Sequence, residues 1–134
     1  MLSTRWTTSD SVRFVTERGL QGLLERHVEL FNAAVSSGNY DPFLATFAED
    51  AVMRFDDFPI GPFVGLGEIA EAYATQPPSD TMALIDMEVI GTDAVRAAFE
   101  WDAGGTGWMF LRFNSAKVVE LAIEFGETRE PNIV

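Results

Sequence analysis

The chain has 134 residues, 47% of them hydrophobic, enough for one domain with a core and too apolar for a disordered segment. Its formal charge of −12, with eight Arg and one Lys scattered along the sequence, argues against nucleic acid and anionic membrane as partners. The absence of cysteine excludes a disulfide framework and thiol chemistry, and no apolar run approaches the ~20 residues of a membrane span.

The N-terminal stretch through Phe14 lacks the apolar centre of a signal peptide, so a cytoplasmic setting is the expectation. Ser9, Asp10 and Ser11 are candidate caps for a short helix ending near Arg18. Residues 1–18 read as an appended arm, 19–126 as a single domain and 127–134 as a tail. From Leu20 the apolar period is helical: Leu20, Leu23, Leu24, His27, Leu30, Phe31 and Ala34 recur at three- and four-residue steps. Gly38 suits the position after the helix, and Asp41-Pro42 reads as an N-cap with proline at the first helical position.

A short second helix then carries Phe43, Leu44 and Phe47 and ends at the acidic pair Glu49-Asp50. Ala51 to Asp57 reads as a strand that closes on two aspartates among Phe55, Phe58, Ile60 and Phe63. Carboxylates are costly to desolvate, so this pair either faces water at a turn or works in a pocket. By strand parity Asp57 shares a face with Met53 and Phe55, and Asp56 with Val52 and Arg54. Arg54 is therefore a candidate ion-pair partner for Asp56, which would depress the carboxyl pKa and argue against a tuned base. A third helix runs from about Gly67 to Thr75 and stops at Pro77-Pro78.

After Asp80 the period becomes two. Ala83, Ile85, Met87 and Val89 alternate with Leu84, Asp86 and Glu88; Val95, Ala97, Phe99 and Trp101 alternate with Arg96, Ala98 and Glu100. Turns at Gly91-Thr92-Asp93, at Gly104 to Gly107 and at Asn114-Ser115 separate these from an apolar strand, Trp108 to Phe113, and a last one through Phe125. No helix follows the glycine-rich turn, so it is not a phosphate loop. Helices first and a meander afterwards make an α+β domain: N-terminal helices packed on a strongly curved, mostly antiparallel sheet, with a cone-shaped interior open at one end.

Particular words within this order carry a resemblance. They are Arg26-His27-Val28 to Asn32-Ala33, Phe47 to Ala51, Gly65 to Tyr73, Phe110 to Asn114, Lys117-Val118-Val119 and Phe125-Gly126-Glu127. Together, from about Gly19 to Glu127, they resemble the nuclear-transport-factor-2-like superfamily, and within it the SnoaL-like and ketosteroid-isomerase-like branch. The resemblance implies a cystatin-like α+β roll and a homodimer formed through the sheet's exposed face.

The resemblance also implies three catalytic roles. The tyrosine that holds the oxyanion would stand where this chain has His27. The carboxylate base would stand at Phe55, so Asp56 is favoured by position, with Asp57 as the alternative by parity. The protonated acid would stand at Met109. Losing such a donor costs ~100–1000-fold in rate, which argues against efficient ketosteroid isomerisation. Phe31, Met53, Phe55, Tyr73, Trp101, Trp108 and Met109 are the candidate lining of an apolar pocket. The leading expectation is a cofactor-independent isomerase-, cyclase- or lyase-like enzyme acting on a small apolar carbonyl compound, steroid- or polyketide-like. The alternatives are a non-catalytic ligand-binding or interaction module on the same scaffold, and an epoxide hydrolase using Arg54 and Asp56. A single histidine makes no zinc site, and no metal is expected.

Overall fold

The spacing of apolar residues in the first segment produces α1, Glu17–Ser37, which buries Leu20, Leu24, His27, Val28, Phe31 and Ala34 on one face. The computed structural model that supplies this geometry describes residues 17–56 and 59–125. Of the expected arm, Glu17 and Arg18 are described and both belong to α1, so the boundary drawn at Gly19 falls inside the helix. The short helix expected to follow Ser9-Asp10-Ser11, and the tail at 127–134, lie outside the described residues. Gly38, at φ 81°, ends α1 in the left-handed region, and its N–H bonds the Ala34 carbonyl at 2.7 Å.

The second helix, α2 (Asp41–Leu44), is one turn long. Asp41 is inside it rather than capping it; the side chain of Asn39 accepts the Asp41 N–H at 3.1 Å. Thr46 then stops the helix by donating both its hydroxyl and its N–H to the Phe43 carbonyl, at 2.7 and 3.1 Å. The first strand, β1, consequently begins at Phe47 and runs to Phe55. Glu49 and Asp50, expected at a helix end, are exposed strand residues within an irregularity between Phe47 and Val52.

The remaining elements are β2 (Phe63–Val64), α3 (Leu66–Thr75), β3 (Met82–Ile90), β4 (Ala94–Trp101), β5 (Thr106–Asn114) and β6 (Lys117–Glu124). They form a six-stranded sheet in the order β2-β1-β6-β5-β4-β3. β1 and β6 pair in parallel and every other neighbour is antiparallel.

Two bulges reset the alternation. On β3, Leu84 pairs with Phe99 and Asp86 with Ala98, so Ile85 is the extra residue and is 55% exposed. Met82 and Leu84 face inward before it, and Met87 and Val89 after it, where strict period two had grouped Ile85 with Met87. On β6, Val119 is the extra residue between the Val118–Phe113 and Glu120–Arg112 pairs, which lets Val118 and Leu121 both be buried.

The core lies between the helices and one sheet face. Phe43 is its hub, packing within 5.7 Å of the rings of His27, Phe31, Phe47 and Tyr73. Truncating a phenylalanine buried in this way typically costs ~3–5 kcal/mol. Asn32 ties α1 to the sheet: its amide donates to the Met82 carbonyl and accepts the Met82 N–H, each at 2.9 Å. Asp80 joins the loop before β3 to the β4–β5 turn, accepting the N–H of Thr81 at 3.0 Å and of Ala103 at 2.9 Å. α3 packs over β1 and β2 while α1 packs over β3 and β4, and the gap between them stays open.

Candidate functional site

That gap is a cavity of about 480 Å³ bounded by α1, α3 and the inner sheet face. Most of its wall is apolar. Phe31, Met53, Phe55, Tyr73, Trp101 and Met109 line it, together with Phe63, Leu121, Ile123 and Phe125. Ile60, Gln76, Ser79 and Gly104 are exposed and form its rim. The wall follows from strand parity: Met53 and Phe55 on β1, Phe99 and Trp101 on β4, Met109 on β5 and Leu121 and Ile123 on β6 all point to the same side.

His27 supplies the polar group at depth. Its α1 position puts it between the helix and the Phe43–Phe47 pair, with ring centroids 4.9 and 6.0 Å away. It is 6% exposed, and its Nδ1 has no hydrogen-bond partner. Burial lowers its pKa from the ordinary 6.5 to about 4, so the imidazole is neutral at physiological pH. A neutral ring offers one N–H donor and one lone pair. Tyr73, also buried against the cavity, has its pKa pushed well above the usual tyrosine value, first by burial and then by the neighbouring Tyr40, whose ring stacks on it at 5.3 Å. Its hydroxyl therefore stays protonated. The charged lining residue among those described is Asp80 at the rim, and both of its oxygens are engaged by backbone N–H groups.

Asp56 is not brought to this cavity. Its side chain lies on the other sheet face, 39% exposed, where its carboxylate accepts from Arg54 Nε at 3.0 Å. Its own N–H continues the ladder to the Ile123 carbonyl at 2.8 Å, which fixes the parity that turns it outward. Asp57 lies outside the described residues. Trp108, expected in the pocket lining, alternates with Met109 and so also faces outward, with the Arg96 guanidinium 3.9 Å from its ring centre.

The outer face is a charge network. Arg54 also bonds Glu120; Arg112 bridges Glu120 at 3.4 Å and Asp93 at 2.9 Å; Arg96 approaches Glu124 at 3.8 Å. The Glu120 pKa is lowered, chiefly by its hydrogen bond from Arg54, against a smaller opposing effect of burial.

The sequence reading missed Asp80, Gln76 and Ser79. Their signal was weak, since Gln76 at a helix end and the polar Ser79-Asp80 after Pro77-Pro78 read as an ordinary turn. Only the pairing of Asp80 with Ala103 across the fold gives it a place at the rim. Among the described residues no group of three or more His, Asp or Glu is placed to hold a metal ion, and no helix is long and apolar enough to cross a membrane.

A family model for the SnoaL-like domain matches residues 28–127. No curated protein matches the chain. Solved structures share its fold. One is a protein of Novosphingobium aromaticivorans provisionally named an aromatic ring hydroxylase, with TM-score 0.65 and 20% identity over 83% of this chain and 92% of that one. Another, from Xanthomonas campestris pv. campestris and provisionally named a polyketide cyclase, has TM-score 0.60 and 20% identity over 83% and 93%. A third is an NTF-2-like protein of unknown function from Burkholderia xenovorans LB400, with TM-score 0.61 and 13% identity over 79% and 84%. At such identities these neighbours establish the fold alone. The family model spans most of the chain and fits the helix-then-sheet order described above, and the chain therefore belongs to the SnoaL-like domain family of the nuclear-transport-factor-2-like superfamily.

Proposed function

We propose that this protein binds a small, largely apolar carbonyl or hydroxyl compound in the cavity, with His27 hydrogen-bonding its polar group. The observation that carries this reading is a buried imidazole, held neutral by its burial, among the lining of an otherwise apolar cavity of about 480 Å³. That volume lies in the ordinary range for small-molecule sites. A ligand carbonyl or hydroxyl that reached the ring would meet a hydrogen-bonding group in an otherwise apolar wall.

The test uses N-phenyl-1-naphthylamine, an uncharged dye that fluoresces in apolar surroundings. The expected result is saturable enhancement with the native protein and its loss in Ala72→Trp, since Ala72 lines the cavity from α3 and a large side chain there would fill it. No enhancement with the native protein, or undiminished enhancement in Ala72→Trp, contradicts the reading.

Catalysis of an isomerase- or cyclase-like proton transfer is the second reading. Asp56 pairs with Arg54, so this reading rests on Asp57 as base, the residue that alternation in the sequence groups with Met53 and Phe55, both of which line the cavity. It predicts that the protein accelerates deuterium uptake next to the carbonyl of 2-tetralone, and that Asp57→Asn removes the acceleration. Assembly as a homodimer through the outer sheet face, where Arg54, Arg96 and Arg112 alternate with Asp56, Glu120 and Glu124, belongs to the same proposal, as does a cytoplasmic setting. Sedimentation analysis at rising salt tests the dimer.

A further inference from the structure

We infer that the cavity admits uncharged, planar ring compounds and turns away their carboxylates, an inference that rests on reading it as an apolar-ligand site. Among the described residues no Lys or Arg lines the cavity. A buried carboxylate without a cation or several donors is strongly disfavoured, so an anionic ligand would lose its hydration with nothing to replace it. The two polar groups at depth, His27 and Tyr73, are both neutral and supply hydrogen bonds without charge. The charged rim residue among those described, Asp80, is itself an anion, and the chain's charge of −12 adds long-range repulsion.

Shape selection comes from three aromatic side chains of the wall. Phe55, Phe125 and Trp101 form a series of nearly parallel rings, 6.1 Å apart at 15° and 6.2 Å apart at 25°. A flat ring system can lie along this series in an offset stack, which adds to simple area burial, whereas a saturated ring of the same size cannot. Asp80 can pair with a cation only at the rim, where such a pair is worth little, while an ammonium carried into the apolar cavity would lose its hydration.

The experiment is calorimetric titration at pH 7 with probes of one carbon skeleton. 2-Naphthamide and 2-naphthoate have nearly the same shape and differ in charge; decahydro-2-naphthol against 2-naphthol tests flatness; 2-naphthylmethylammonium tests the rim carboxylate. The expected pattern is naphthoate at least 30-fold weaker than naphthamide, and decahydronaphthol at least 5-fold weaker than naphthol. Gln76→Lys, which adds a cation on the exposed rim, is expected to raise naphthoate affinity about tenfold. Naphthoate within threefold of naphthamide, decahydronaphthol as tight as naphthol, or the ammonium compound as the tightest of the set, overturns the inference while leaving an apolar-ligand cavity in place. Binding of none of the probes, with no response to N-phenyl-1-naphthylamine, overturns both.

Discussion

Replacing His27 by phenylalanine should make the protein less sensitive to acid. In the folded chain burial holds the His27 pKa near 4, against 6.5 in the unfolded chain. Below pH 6.5 the unfolded state takes up a proton that the folded state refuses until about pH 4. The unfolded state then binds more protons, so stability falls as pH drops through this window. The shift corresponds to about 3 kcal/mol in full, of which about 2 kcal/mol is lost between pH 7 and pH 5. His27→Phe lacks that proton and keeps an aromatic ring against Phe43 and Phe47. It also removes an unpartnered nitrogen, so it should be no less stable than the native protein at pH 7. Urea unfolding of both proteins at pH 7, 6 and 5 measures the difference, since the acidic side chains shared by both cancel in the comparison. Parallel profiles, or an NMR titration of the single histidine with a midpoint near 6.5, would refute the reasoning.

Three further substitutions probe the frame around the site. A Cβ added at Gly107 would sit 2.7 Å from both the Glu124 carbonyl oxygen and the fully buried ring of Phe99, so Gly107→Ala should cost ~1–3 kcal/mol in thermal or urea unfolding; unchanged stability would mean the ring can retreat. Ala116 closes the β5–β6 hairpin at φ 68°, where a Cβ is strained, so Ala116→Gly should raise stability by ~1 kcal/mol, and a loss would show that the turn is not held there. Asp56→Ala should change stability by less than ~1 kcal/mol, because the pair with Arg54 is exposed, and should leave dye binding unaltered. Loss of dye binding would instead place Asp56 in the cavity.

The helices and the hairpin order were legible because each signal is local: a 3.6 period in α1, proline after α3, alternation in β4 and β5. Where the reading slipped, the deciding contact was distant in sequence. Phe47 became a strand residue because Thr46 ended α2 and β6 was there to pair with it. Ile85 turned outward because a bulge fell between Leu84 and Asp86. At the candidate site, His27 and most of the lining followed from a helical wheel and from strand parity. The same parity rule correctly separated Arg54 and Asp56 from Met53 and Phe55, whereas position in the family pattern had favoured Asp56. Trp108, expected in the lining, is excluded from it by alternation with Met109, which has the inward parity. Asp80 had no local signal at all, since its partner Ala103 belongs to a turn on the other side of the mouth.

The central claim is that the cavity holds an uncharged ligand whose polar group meets His27. A crystal structure of the protein soaked with 2-naphthol tests it most directly. The account predicts the ring between α1, α3 and the sheet, beside Trp101 and Phe125, with its hydroxyl within hydrogen-bond distance of the imidazole. A naphthol seated on the outer face at Trp108 and Arg96, or oriented with its hydroxyl away from His27, would contradict it.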